Sequence, residues 1–156
     1  RLGNEAVKRA LQAAGIPSSL EPVGLSRNEG KRPDGITLIP WTNGRSLIWN
    51  FTCVNRVAVS NVSRGTIPGP TIANKAEEDK NMKYEDLTRN HVFQPIAVEH
   101  LGGLGTDTDK FIKTLCGKIV TETDDKRSGT YFRQRLSLAV QIGNAAMVRE
   151  SVDRAR

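Results

Sequence analysis

Three stretches of this 156-residue chain hold side chains able to do chemistry together. Arg32-Pro33-Asp34-Gly35 sets a carboxylate at the mouth of an apolar stretch, just after the basic segment Arg27 to Arg32. Asn50 is a polar residue inside the apolar run Leu47 to Val54. Lys80, Lys83 and Tyr84 are spaced i, i+3, i+4, so one helix face presents all three. An acid pair beside a lysine is the set that metal-dependent phosphodiester hydrolysis needs. Carboxylate oxygens hold Mg2+, and the metal polarises the phosphate and acidifies an attacking water. The lysine orients that water or steadies the charge added in the transition state. Each part also has an ordinary reading. Pro-Asp-Gly is common turn chemistry, and Glu77, Glu78 and Asp79 suit a solvated helix face with an Asp79–Lys83 ion pair.

The elements that must position these residues follow from apolar periodicity and turn chemistry. Asn4 to Ala14 reads as a helix with Asn4 as N-cap and an apolar face of Ala6, Val7, Ala10, Leu11 and Ala14. Leu20 to Leu25 reads as a short strand, and Arg27 to Arg32 as a basic loop. Asp34 to Pro40 and Ser46 to Val54 read as a hairpin closed by Thr42-Asn43-Gly44-Arg45. In the second strand Leu47, Trp49, Phe51 and Cys53 take one face; Ile48, Asn50, Thr52 and Val54 take the other. Antiparallel pairing then brings Asn50 towards the level of Asp34. A buried amide needs a partner, which is either a hydrogen bond or a metal shared with Asp34.

Asn55 to Thr71 is rich in Ser, Gly, Pro and Asn and reads as loop. Ile72 to Arg89 follows as a charged helix, and His91 to Leu101 as a strand. Thr106 starts another helix, with Asp109 at capping-box spacing, and Ser128 to Arg149 forms the last. This order predicts an α/β (α+β) domain, a small mixed β-sheet with a central hairpin flanked by helices.

Length suits a single domain over residues 1–156. Lys+Arg 23 against Asp+Glu 17 gives +6, and the pI near 9.6 suits a polyanionic partner, DNA or RNA. No run approaches the length of a bilayer span, which predicts no membrane partner. Cys53 and Cys116 are expected to be buried thiols rather than a disulfide. With no secretory signal, a nuclear or cytoplasmic location is expected, and the triplets Asn50-Phe51-Thr52 and Asn61-Val62-Ser63 are incidental. A start at Arg1 suggests the C-terminal part of a longer polypeptide. Composition leaves the oligomeric state open.

The ordered set Lys31-Arg32-Pro33-Asp34-Gly35, Leu47-Ile48-Trp49-Asn50-Phe51-Thr52 and Lys80-Asn81-Met82-Lys83-Tyr84 resembles the restriction-endonuclease-like domain of non-LTR retrotransposons. That family lies within the PD-(D/E)xK nuclease superfamily. Phe93 to Glu99 and Gln134 to Ala145 extend the likeness to about Asn4 through Val148. The resemblance implies a restriction-endonuclease-like fold and a Mg2+-dependent (or Mn2+-dependent) endonuclease that nicks target DNA. Asp34 matches the first metal-binding acid, Lys80 and Lys83 the helix lysines, and Tyr84 the tyrosine that closes the motif. Asn50 stands where the family has Asp, so the second metal ligand is an amide without charge. Glu99 or Glu21 could supply the missing acid; otherwise the domain is a degenerate copy. Arg27, Lys31 and Arg32 would track phosphates. The alternatives are a catalytically inactive nucleic-acid-binding module, or an interaction domain whose last two helices dock a partner.

Overall fold

The computed structural model of the protein describes residues 2–24, 32–55 and 71–155, the side chains of residue 71 and of 144–151 excepted. Arg27, Lys31 and most of the loop expected after Asn55 lie outside the described residues. In chain order the elements are α1 (Leu2–Ala13), β1 (Ser18–Leu20), β2 (Gly35–Thr37), β3 (Leu47–Val54), α2 (Thr71–Lys83), a 3-10 turn (Glu85–Arg89), β4 (Val92–Glu99), α3 (Thr106–Thr123) and α4 (Ser128–Ala155). The strands form one four-stranded sheet in the order β1-β2-β3-β4. The first three run antiparallel, and β4 joins β3 in parallel after the α2 crossover. The expected small mixed sheet with a hairpin and flanking helices is therefore present.

Side-chain alternation along β3 divides the two faces. Leu47 and Trp49 join Ile96 and Val98 of β4 in a core roofed by α1, α3 and α4. Val7, Leu11, Ile112, Leu115 and Ile119 are almost fully removed from water there. Each such side chain contributes about 1.5–3 kcal/mol relative to exposure. Ile48 and Asn50 lie on the opposite face, and α2 packs against β3 and β4.

The expected strand Asp34 to Pro40 shortens to three residues. The Thr37 hydroxyl, not a backbone carbonyl, accepts the Leu47 N–H at 2.9 Å, and Pro40 can donate nothing. The Asn43-Gly44 turn forms as expected, with both residues at positive φ (50° and 72°) and Arg45 N–H donating to the Thr42 carbonyl. β1 sits two residues before its expected start, because Glu21 turns at φ 50° and Pro22 follows. The helix expected from Ile72 to Arg89 breaks at Tyr84 (φ −104°, ψ 15°) into α2 and the 3-10 turn.

Other expectations are corrected. Asn4 is inside α1 rather than capping it, and its side chain accepts the Trp49 indole N–H at 3.2 Å. Asp109 makes no capping box; it pairs with Lys113 at 2.8 Å. Cys53 is exposed and Cys116 half-buried, and both thiols are free. The α1 roof ends near Phe51, whose ring lies against Gly3, so Cys53 projects beyond it. Burial still pushes both thiols upward. Among the described residues, no helix is long and apolar enough to cross a membrane.

Candidate functional site

Asp34 is fixed by the strand it precedes. Gly35 pairs with Trp49 and Ile36 with Ile48. One residue earlier, the Asp34 N–H donates to the Trp49 carbonyl at 2.8 Å, and its Oδ2 accepts the Phe51 N–H at 2.7 Å. Asp34 thus bonds to the residue on each side of Asn50. Only glycine fits at position 35, where a Cβ would lie 2.1 Å from the buried Trp49 ring. That close approach lets the strand lie flat beside β3.

Asn50 is 8 % exposed on the α2 side of the sheet, and its Oδ1 accepts the Thr52 hydroxyl at 3.3 Å. The buried amide therefore has a protein partner as well as an acid neighbour. Parallel pairing sets Pro95 beside Asn50 and Glu99 beside Val54. Glu99 is four residues further along the same face, about 13 Å away at 3.3 Å per residue. It is not brought to Asp34. The Glu21 backbone is, with its side chain exposed: its N–H donates to the Asp34 carbonyl at 2.7 Å, and the Arg32 guanidinium holds the Glu21 carbonyl at 2.6 Å.

α2 supplies the basic wall. Ala73, Glu77, Lys80 and Tyr84 recur at i, i+4, i+7 and i+11, a single stripe. Ala73, Glu77 and Tyr84 are buried, so Lys80 occupies a sheet-facing position and is only partly exposed. Burial lowers its pKa first and the Lys83 charge second, while Asp34 and then Asp79 oppose them. Asp34 is thus among the charges that act on Lys80. Lys83 is exposed, with its ammonium 5.4 Å from the Tyr84 ring centroid. Asp79 pairs with Lys75 at 3.1 Å rather than with Lys83, its partner in the ordinary reading of a solvated face.

Tyr84 is 1 % exposed, stacked on Phe93 at 4.8 Å, and its hydroxyl donates to the Arg32 carbonyl at 3.1 Å. Burial raises its pKa, and the Asp34 charge adds to the rise. Its hydroxyl is thus committed to the backbone just before Pro33 and Asp34.

Sequence reading missed Glu77. It is 3 % exposed rather than solvated, and its carboxylate accepts the Asp107 N–H at 3.2 Å and the Thr108 N–H and hydroxyl, each at 2.6 Å. Asn74 accepts the Thr106 N–H at 2.8 Å. α2 therefore caps the N-terminus of α3 from outside, where four N–H groups need acceptors. Gly105 permits it, since a Cβ there would lie 2.2 Å from the Glu77 carboxyl carbon. An acid within the stripe Ala73–Glu77–Tyr84 was the available signal.

Comparison with known proteins decides no family. No family model and no curated protein matches this chain. The site must be judged by its own donors. Asp34 has one oxygen committed to Phe51, and Asn50 adds an uncharged amide already engaged by Thr52. Among the described residues, no three His, Cys, Asp or Glu side chains come together to hold a metal. One carboxylate beside a lysine is a poor donor set for Mg2+, which favours carboxylate oxygen. The described residues do not make a full metal site.

Proposed function

We propose that this chain is a restriction-endonuclease-like domain of the retroelement type, derived from a DNA-nicking enzyme, with a metal site short of one charge. The observation that carries the reading is the bracketing of Asn50 by Asp34 under the Lys80 face of α2. These residues come from the three segments that carry the resemblance, which supports the reading. The helix, hairpin, crossover helix and parallel strand agree with it. Asp34 would retain a residual hold on Mg2+ or Mn2+, and Lys80 would face the scissile phosphate or its nucleophile. Arg32 and Lys83, both exposed near this face, would take DNA phosphates.

The test is nicking of supercoiled plasmid DNA in Mg2+ or Mn2+. Weak nicking by the wild-type chain, lost in Asp34→Ala and raised at least tenfold in Asn50→Asp, is the expected result. No nicking by any of the three overturns it.

One observation favours a second reading, a non-catalytic nucleic-acid-binding module. The donor set offers one carboxylate where a dication needs more. This reading expects salt-dependent DNA or RNA binding that is indifferent to metal and weakened by Arg32→Glu and Lys83→Glu.

A further inference from the structure

A cavity of about 630 Å³ opens on the side of the sheet away from Asp34, between the loop after β4, α3 and α4. Its floor is apolar: Val98, Leu104, Ile112, Leu136 and Val140. One wall is polar, formed by Arg133, Ser137 and Gln141 of α4. Their i, i+4, i+8 spacing makes a single stripe about 12 Å long at 1.5 Å per residue. His100 and Gly102 form the loop side, and Leu101 stands at the mouth, 82 % exposed. Among the described lining residues there is no acid.

Arg133 stands exposed at the rim. Its charge lies beside Cys116, whose thiol donates to the Gly129 carbonyl at 3.6 Å. The volume lies within the range of small-molecule sites, which pair an apolar lining with a few placed polar groups.

We infer that this cavity is a binding site for an elongated amphipathic carboxylate, its aliphatic body on the floor and its carboxylate on Arg133. Ser137 and Gln141 extend the polar wall along the ligand, and the charge of Arg133, with no acid among the described lining residues, selects an anion over a cation. A guanidinium meets a carboxylate through two parallel hydrogen bonds, which distinguishes the acid from an alcohol of equal length. The site is separate from the Asp34 face, so its fate is independent of the nuclease reading.

The test is a titration of the ¹⁵N-labelled chain with decanoate and, separately, with decanol, followed by amide shifts. Decanoate is expected to shift residues 98–104 and 133–141 saturably, with a dissociation constant below about 1 mM. Decanol and the Arg133→Gln variant should each weaken binding at least tenfold. Ser137→Trp, an exposed position that tolerates bulk without disturbing the core, should block it. Equal binding of acid and alcohol, binding unchanged by Arg133→Gln, or no saturable shift at these residues overturns the proposal.

Discussion

Asp34 straddles Asn50: its N–H bonds the carbonyl of Trp49 and its carboxylate bonds the N–H of Phe51. The carboxylate therefore does two tasks at once, registering β2 against β3 and charging the ground beside the amide. Removing it should cost structure as well as any activity. Asp34→Asn keeps the shape and loses the charge, so it separates the two.

Lys80 reads that charge. Its pKa is lowered by burial and by Lys83, against the opposing pull of Asp34. Asp34→Asn removes the pull, so Lys80 is expected to fall further, and an NMR titration of the Lys80 side chain measures it. An unchanged Lys80 would mean that the two residues do not interact. A lysine held below its unfolded value of 10.5 leaves the folded state with fewer protons. Its contribution to stability is present above pH 10.5 and lost as pH falls through the lowered value. Lys80→Met should therefore flatten the rise of stability with pH in that alkaline window.

Tyr84 acts with the opposite sign. Its pKa is raised above 10.0, so its contribution is fully present below pH 10.0 and lost as pH rises through the folded value. Tyr84→Phe should keep the Phe93 stack, lose the bond to the Arg32 carbonyl and cost about 1–2 kcal/mol at pH 7. Urea denaturation at pH 7 and at pH 11 checks both parts. A Phe variant that remains as alkali-sensitive as the parent would remove Tyr84 from the account.

Glu77 ties α2, and with it Lys80, to α3. Glu77→Ala leaves the buried N–H of Thr108 and the partly buried N–H of Asp107 without their acceptor and should cost about 2–4 kcal/mol. Gly105→Ala should approach that loss by displacing the same carboxylate, while Glu77→Gln, which keeps one oxygen acceptor, should lose less. The order of the three denaturation midpoints is the measurement. Equal stability of Glu77→Ala and wild type would show that the cap does not hold the helices.

Much of this was legible in sequence because it is local. The Asn43-Gly44 turn, the alternation along Leu47 to Val54 and the meeting of Asp34 with Asn50 follow from residue type and spacing. Elements whose bounds depend on distant partners were not legible. Thr37 ends β2 through a side-chain bond to Leu47, and Tyr84 ends α2 by turning in to stack on Phe93 and reach Arg32. Glu77 looked solvated because Glu78 and Asp79 follow it. Its donors, 30 and 31 residues downstream, are visible only once β4 has returned alongside β3. The choice between Lys80 and Lys83 likewise needed the sheet, since both fit one helical face.

The missing charge at position 50 is the centre of the account, and metal affinity measures it most directly. Isothermal titration of Mn2+ into wild type, Asn50→Asp and Asp34→Ala/Asn50→Asp reads the donor set without requiring turnover. Asn50→Asp is expected to bind at least tenfold more tightly than wild type, about 1.4 kcal/mol. The double variant should fall back to the wild-type level or below. Equal affinity in wild type and Asn50→Asp, or a gain that survives loss of Asp34, would contradict a shared metal site between these two residues.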